Sequence, residues 1–420
     1  MYLIFIAIRY LAGRAHEGGR YLRGAAAGIA ISLVPIIVVL IVADGMIRGI
    51  IDRYLELGIG HIQVEDNSFG SYNLHGKENT AEKIREYDNV IGVWYEQRST
   101  GVAVGKKSKT GVNIRAIEPS FWDDTGSVEF LKIISGNGKP ENADDMLLGT
   151  GIADFIGADV GDTVRLMTMR VGQSGRNVPV VTPFTVTGIV SSGYHELDAL
   201  WCIINDEGGK RIQTAEYSSY IVKIKDPYRN ADSFSEFLQE ELGHFYNVIT
   251  WKGLMGSQYN SYQSTRQMLL FIMALIVIVA AVNVSSATSM LVIERHQDIA
   301  ILKASGSSKA SISGIFLWSS LFTGLCGAAA GSITGLLIGY FINPVIRSLE
   351  IIISFFSGLF GGGNVKILDP GFYLETIPVI IDWYAIMLIF GFTILCSIIA
   401  SMLPAIRAGK LKPMDLFRKN

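Results

Sequence analysis

Residues 267–306 decide the fold: an uncharged run, QMLLFIMALIVIVAAVNVSSATSMLVI (267–293), is followed at once by a short charged segment, ERHQDIAILKASG (294–306). A bilayer core needs about 20 apolar residues of helix, and an ionised side chain at its centre costs about 3 kcal/mol. The run therefore predicts a membrane-spanning helix. The segment predicts a short amphipathic helix that leaves the membrane and stops at Gly306.

Three further charge-free runs repeat this pattern in a chain of 420 residues of which 49% are hydrophobic. Together with 266–293, they predict spans at 24–45, 311–342 and 383–406. Only part of the third run can lie in the bilayer, because it stays uncharged from 310 to 346 and so long a helix would outreach the hydrocarbon.

Residues 46–265 have a different pattern, in which short β-branched runs alternate with Gly, Asn and Asp turns. Strands are predicted at 60–64, 160–166 and 184–190, and helical composition returns at 80–87 and 231–242. We therefore expect an α+β membrane protein, with four transmembrane helices and a large α+β domain inserted between the first and second.

Basic residues set the predicted orientation. They cluster before the first span and after the fourth, and the connection between the second and third carries Arg295, Lys303 and Lys309. Because basic loops stay on the cytoplasmic side, we expect both termini and residues 294–310 inside, and residues 46–265 and 343–382 outside. Residues 1–23 have the spacing of a cytoplasmic interfacial helix, with a disordered tail as the alternative, and 407–420 form a cytoplasmic tail.

The sequence lacks the motifs of the common catalytic sites: it has no nucleophile elbow, no His-Glu-x-x-His, no glycine-rich phosphate loop and no Cys-x-x-Cys. His195-Glu196-Leu197-Asp198 fits a turn with solvated charges better than a metal site, because metal ligands must converge from one face. A net charge of −2 gives no basic field for nucleic acid. We therefore expect no enzyme, no metal or cofactor bound by this chain, and no nucleic-acid partner.

The charged segment after the second span is the most informative local feature. As an amphipathic helix at the inner membrane face it suits a groove on a partner protein, and a plain solvated loop is the alternative. Its candidate contact residues are Glu294, Arg295, Asp298, Ile299, Ile301, Leu302, Lys303 and Gly306.

The third span carries a glycine at every fourth position. Small residues let another helix approach closely inside a membrane, where packing replaces the hydrophobic drive. The stripe fits packing within the chain and dimerisation equally well. Its members are Gly327, Gly331, Gly335 and Gly339.

A protruding hairpin loop is expected at 169–183, where glycines expose backbone and valines are available to pack on something. A flexible loop without function is the alternative. The candidate residues are Met169, Arg170, Gly172, Gly175, Val178, Pro179 and Pro183.

Two apolar groups, the first of them at helical spacing, lie beside the first and second spans and could form an apolar pocket for acyl chains, although ordinary helix packing explains them as well. They are Met46, Ile50 and Tyr54, and Met268, Leu269 and Ile272.

This arrangement resembles the MacB/FtsX-type ABC permease superfamily, and within it the lipoprotein-releasing LolC/LolE family most of all. The likeness covers nearly the whole length. Ser305 departs from it, because a leucine is usual there. The motifs that carry it are Arg9-Tyr10-Leu11, Leu148-Gly149-Thr150-Gly151, Val160-Gly161-Asp162, residues 192–198, residues 298–306, Leu403-Pro404-Ala405-Ile406-Arg407-Ala408 and Lys412-Pro413-Met414-Asp415-Leu416.

The resemblance implies a permease of the bacterial inner membrane, paired with a second copy or a paralogue and bound to a LolD-like ABC ATPase dimer that holds ATP and Mg. Residues 294–306 would be the coupling helix on that ATPase. ATP-driven mechanotransmission would extract lipoproteins from the membrane and pass them to a LolA-like periplasmic carrier, held by the loop at 169–183. The alternatives are an export permease of the macrolide or peptide type and an FtsX-like regulator of a cell-wall hydrolase.

Overall fold

The computed structural model describes residues 5–7, 18–66, 74–171, 177–212, 217–359, 374 and 376–411. The chain divides into two compact units. The helical unit comprises Met1–Gly45, Tyr262–Gly363 and Ile377–Asn420, and the strand unit comprises Met46–Ser261 and Asn364–Thr376.

The helices come in chain order as follows, with a π-helical turn at Tyr54–Ile59 directly after the first and a 3₁₀ turn at Pro119–Asp123. They are α1 (Gly18–Arg53), α2 (Leu74–Arg85), α3 (Thr125–Glu129), α4 (Thr150–Ile156), α5 (His195–Asp198), α6 (Asp206–Ile212), α7 (Pro227–Leu242), α8 (Trp251–Leu254), α9 (Gly256–Glu294), α10 (His296–Ala304), α11 (Lys309–Tyr340), α12 (Ile342–Leu359) and α13 (Trp383–Lys410).

Within the described part of the chain, four helices are long and apolar enough to cross a membrane: α1 with its π turn, α9, α11 and α13. The four long apolar helices that the sequence predicts are therefore present, at the places in the chain where the spans are expected. The helices outrun the charge-free runs at their ends, because charged and polar residues continue a helix once it leaves the hydrocarbon. α1 already begins at Gly18, so the last residues of the expected interfacial segment belong to the first long helix.

The segment 343–382, expected as an outer loop, contains α12. α11 stops at Tyr340, and after Phe341 the apolar residues continue at helical spacing past Arg347. A charge on one face does not end an amphipathic helix, so the end of the charge-free run at Arg347 does not mark the start of a loop.

The described residues of the strand unit form one sheet of ten strands. They are β1 (Ile62–Asp66), β2 (Val90–Val104), β3 (Lys109–Ile117), β4 (Lys132–Gly136), β5 (Asp145–Gly149), β6 (Thr163–Val171), β7 (Asn177–Ser191), β8 (Trp201–Asn205), β9 (Tyr217–Ile224) and β10 (Tyr246–Thr250).

Six strands of this sheet close into a ring, in the order β2, β3, β8, β5, β7, β6 and back to β2. β3 with β8 and β5 with β7 pair in parallel, and the other neighbours in the ring are antiparallel. Alternate residues point inward, because side chains along a strand face opposite sides. The inward set fills the ring with Ala103, Val112, Ile114, Met146, Leu148, Val164, Leu166, Phe184, Val186, Cys202 and Ile204.

The first half of β2 leaves the ring and joins an open antiparallel sheet in the order β10, β1, β9, β2. α7 packs on β10 and β9, and α2 packs on β2. The predicted strands at 60–64, 160–166 and 184–190 correspond to β1, β6 and β7, and the predicted helices at 80–87 and 231–242 to α2 and α7. The α+β prediction is confirmed.

Candidate functional site

α10 is a short, sharply bounded helix between two of the apolar helices. Arg295 precedes it and Ser305 ends it, and Gly306 follows with φ of +87°, a conformation that favours glycine. Glu294 therefore belongs to α9 and not to the short helix.

The inner face of α10 packs into an apolar cluster. Ile299 and Ala300 are buried, whereas Ile301 is 63% exposed. The cluster also contains Leu22, Leu291, Val292, Ile312, Phe316, Ala405 and Ala408. α10 is thus fixed to the ends of the apolar helices by one side and presents a solvent-facing isoleucine on the other.

Charged side chains brace α10 at both ends. Arg295 Nη1 donates to Asp298 Oδ2 at 3.3 Å, and Lys303 Nζ donates to the carbonyl oxygen of Leu411 at the end of α13. A lysine near a helix C-terminus also suits the partial negative charge there. Leu302 is half-buried, so among the candidate contact residues Ile301 is the apolar side chain most available to a partner.

The glycine stripe of α11 lies against α1. A Cβ atom built on Gly331 would be 2.9 Å from both Cα and O of Ala30, and one on Gly327 would be 2.7 Å from the carbonyl oxygen of Ala26. A Cβ atom on Gly335 would be 2.9 Å from Cβ of Ile37, and one on Gly339 would meet the side chain of Ile41. The structure thus uses the stripe for close packing within the chain.

A charged group joins three helices at the end of the helical unit opposite α10. Arg266 of α9 contacts Asp44 of α1, with 3.0 Å between Nε and Oδ1, and Asp382, with 2.6 Å between Nη2 and Oδ2. Asp382 is also the N-cap of α13, where it accepts hydrogen bonds from the N–H groups of Tyr384 and Ala385. One arginine of α9 is therefore tied both to α1 and to the N-cap of α13.

In the strand unit, the π turn after α1 is held by side chains of the sheet. The last carbonyl groups of a helix have no partner within it, and here the sheet supplies donors. The bonds are Arg115 to the oxygen of Leu57, Arg98 Nη2 to that of Gly58 at 2.7 Å, and Gln63 Nε2 to that of Ile59 at 2.9 Å.

The three donors form a clamp on the π turn, and two of them, the buried Arg115 and the half-buried Arg98, share one carboxylate. Glu96 is fully buried and bonds to Arg115 Nε and, at 2.9 Å, to Arg98 Nη2. Burial alone would raise the pKa of Glu96, but the two guanidinium groups outweigh it and hold the pKa below its ordinary value. Arg115 also lies over the ring of Trp201, 5.2 Å from its centroid.

A second ionic group holds the same turn from another side. Lys223, buried on β9, contacts Glu56 of the π turn and also donates to Asp124 Oδ2 at 2.6 Å. Sequence patterns did not reveal either group, because a charged residue on a strand is ordinarily read as facing water.

The expected loop at 169–183 is mostly an antiparallel hairpin. β6 and β7 stay in register from Thr163 opposite Thr185 to Val171 opposite Asn177. Met169, Arg170, Val178, Pro179 and Pro183 therefore lie in strands, and Gly172 and Gly175 fall outside the described residues.

One face of this hairpin is apolar and exposed. Met169 pairs with Pro179 and Met167 with Val181, and Met169 is 62% exposed. Alternation explains the arrangement, because Leu166, Thr168 and Thr182 on the other face are buried. The hairpin thus offers a ready surface to another protein.

The residues of the expected acyl-chain pocket fall in both units. In the strand unit, Ile50 is buried in an apolar cluster that Tyr54 packs against, and Met46 is half-buried. In the helical unit, Met268 and Ile272 are exposed on α9, whereas Leu269 packs inward.

A cavity of about 310 Å³ in the strand unit lies beside the clamp. Tyr54 lines it, but its walls mix apolar with polar and charged groups, among them Arg98, Asn113 and Glu196. Among the described residues, no group of three His, Cys, Asp or Glu side chains is arranged to hold a metal ion.

Comparison with known families matches both parts of the chain. Residues 24–236 match the family model described as MacB-like periplasmic core domain, and residues 270–413 match that of the FtsX-like permease C-terminal. These matches, with four apolar helices and a mixed α+β unit, define a multi-pass membrane permease with a periplasmic core domain.

The chain belongs to the MacB/FtsX family of ABC permeases. The lipoprotein-releasing system transmembrane protein LolC of Neisseria meningitidis serogroup B is 26% identical, over 99% of this chain and 98% of that protein. LolE of Haemophilus influenzae is 24% identical, over 98% of each chain. The solved periplasmic region of MacB from Actinobacillus actinomycetemcomitans has a TM-score of 0.31 and 16% identity, covering 49% of this chain and 96% of that one.

Proposed function

We propose that this chain is the permease subunit of an inner-membrane ABC transporter that extracts lipoproteins and passes them to a periplasmic carrier. The observation that carries the proposal is that relatives from lipoprotein-releasing systems align with 98–99% of the chain, so that both units are matched. ATP with Mg would act on a separate ATPase dimer, and a second permease copy or paralogue would complete the complex.

The geometry of α10 supports its role as the ATPase-coupling helix. An amphipathic helix that docks in a groove needs a firmly held body and an apolar anchor on its free side. The buried Ile299 and Ala300 hold the body of α10 in place, and the exposed Ile301 provides the apolar anchor. Force from the ATPase would then reach α9, α11 and α13 through one packed cluster.

The exposed face of the β6–β7 hairpin supports the role of carrier contact. Met167, Met169 and Val181 form a short apolar strip on paired strands, which keeps their positions fixed better than a free loop would. Met268 and Ile272, exposed on α9, are the members of the expected acyl pocket that remain open to a lipid-like ligand.

The test is reconstitution of the full-length chain with its ATPase in vesicles that contain a lipoprotein, followed by measurement of release to a soluble carrier. Ile301→Asp should abolish ATPase association and release, whereas Ile301→Leu should retain both. Met169→Asp should reduce release with ATPase association intact, and Met169→Leu is its control.

Unchanged ATPase association in Ile301→Asp would refute the coupling role. Intact ATPase association without release of any lipoprotein would refute the proposal that the cargo is a lipoprotein. It would favour the alternatives that the family matches also support. Those are an export permease of the macrolide or peptide type and a regulator of a cell-wall hydrolase.

A further inference from the structure

α12 begins almost directly after α11, beside exposed aromatic side chains. Only Phe341 separates it from α11, and Tyr340 and Phe341 are both more than half exposed. Trp383 and Tyr384, at the start of α13, are exposed as well. Exposed aromatic side chains collect at the boundary between hydrocarbon and water, so these two pairs mark that boundary at either end of the segment that contains α12.

α12 does not cross the membrane, although its 18 residues would reach roughly 27 Å. Asn343, in its first turn, bonds through both amide atoms to the backbone of Ile377, at 2.9 and 3.0 Å. Asp382 then joins Arg266 at the end of the unit opposite α10. The chain therefore leaves α11 and enters α13 on the same side, and α12 stays there.

Five polar residues of α12 recur at intervals of four and three, which places them along one narrow stripe of the helix. Apart from Ser348, whose hydroxyl donates to the carbonyl oxygen of Pro344, the remaining and larger part of the circumference is apolar. The stripe consists of Asn343, Arg347, Glu350, Ser354 and Ser357.

The burial of α12 is the reverse of that of a helix in water. Of the stripe, all but Arg347 are half-buried. The apolar side is open: Ile351 and Phe355 are 65% and 66% exposed. Large apolar side chains are unfavourable in water, so a surface of this kind needs an apolar partner. The other exposed members are Leu349, Ile352, Ile353 and Phe356.

We propose that α12 lies along the membrane interface, with its apolar side in the acyl chains of the leaflet opposite α10. Lipid fits better than a second copy of the chain because a helix contact needs one stripe, whereas this apolar surface exceeds half the circumference. α11, which precedes it, also exposes large apolar side chains, among them Ile333 and Leu337. Arg347 and Glu350 cancel in charge, so the contact does not require anionic lipid.

The experiment uses the full-length chain in phosphatidylcholine bilayers, with and without phosphatidylglycerol, after Cys326→Ser and Cys396→Ser. A nitroxide spin label is attached at Ile352→Cys or Phe356→Cys on the apolar side, and at Arg347→Cys on the exposed part of the stripe. Collisions are measured with oxygen, which concentrates in the hydrocarbon, and with a water-soluble nickel chelate.

The labels at 352 and 356 should collide several-fold more with oxygen than with nickel relative to the label at 347, in both lipid mixtures. Nickel collisions as frequent at 352 and 356 as at 347 would place α12 in water and overturn the proposal. Shielding from both reagents would also overturn it, because protein would then cover the surface. Neither readout depends on lipoprotein release, so this proposal and the proposed function fail separately.

Discussion

Arg266 donates a hydrogen bond to Asp382, with 2.6 Å between Nη2 and Oδ2, and the same carboxylate caps the first turn of α13. Oδ1 accepts from the N–H groups of Tyr384 and Ala385, while Oδ2 receives the guanidinium. One side chain therefore starts a helix and ties it to α9. The two roles can be separated by substitution.

Asp382→Asn should destabilise the protein less than Asp382→Ala. Asparagine caps a helix about as well as aspartate, so the first substitution removes only the partly exposed ion pair with Arg266. That pair is worth up to about 1 kcal/mol. Alanine loses the cap as well, which adds about 1 kcal/mol. Thermal unfolding of the full-length chain in detergent measures both. Equal melting temperatures for the two variants would show that the cap contributes nothing.

Arg115→Met should strongly destabilise the strand unit. It leaves the fully buried Glu96 without its closest partner and the oxygen of Leu57 without a donor. Removing one partner of a buried pair costs about 3–5 kcal/mol, because the other charge remains out of water. The double variant Glu96→Leu with Arg115→Met should unfold at a higher temperature than Arg115→Met alone.

Lys106→Met is the control for that comparison, because Lys106 forms an ion pair with Asp162 on the surface and should change stability little. A melting temperature of Arg115→Met as high as that of Lys106→Met would refute the structural role of the buried pair.

Acid should weaken the contact between Asp124 and Lys223. Burial raises the pKa of Asp124, but hydrogen bonds from Lys223 and Ser127 outweigh it and hold the pKa below the ordinary 3.8. A lowered pKa means that the folded state favours the carboxylate. The stabilisation that the ionised Asp124 provides is therefore complete above the pKa of Asp124 in the unfolded state. It is lost as pH falls through the pKa of Asp124 in the folded state.

Asp124→Asn removes this titration, and asparagine can still cap α3 in place of the carboxylate that accepts from the N–H of Ser127. The melting temperature of the wild type should fall more steeply below about pH 4 than that of the variant. Parallel curves would contradict the assignment of acid sensitivity to this carboxylate.

The spans, the hairpin and the mixed domain could be predicted because each rests on a local pattern. A charge-free apolar run of sufficient length predicts a span wherever it occurs, as in 267–293. Alternation of apolar and polar residues predicts strands such as β6 and β7. In the structure this alternation turns Leu166 and Thr168 to the buried face of β6 and Met167 and Met169 to the exposed face.

The clamp on the π turn could not be predicted, because it joins residues far apart in the chain. Leu57 and Arg115 are separated by 58 positions, and Glu96 reads as an ordinary exposed strand residue until Arg115 is placed beside it. α12 was missed for another reason: Arg347 ended the charge-free run, although it lies on the polar stripe of a helix that continues beyond it.

Gly331→Ala should loosen the contact of α11 with α1 and destabilise the helical unit. The new Cβ would lie 2.9 Å from Cα and O of Ala30 and from Cβ of Leu33. Backbone atoms cannot turn aside as a flexible side chain can, so the two helices must separate, and overpacking of this kind costs about 1–3 kcal/mol. Gly391→Ala in α13 is the matched control, because a Cβ there meets nothing within 4 Å.

At Gly391 the substitution only restricts the unfolded backbone, and it should raise stability by up to about 1 kcal/mol. Thermal unfolding of both variants in detergent should therefore move in opposite directions from the wild type. If Gly331→Ala is as stable as Gly391→Ala while a disulfide-trapped dimer contact through α11 is lost, the stripe serves dimerisation. The close approach to Ala30 would then not be what requires glycine.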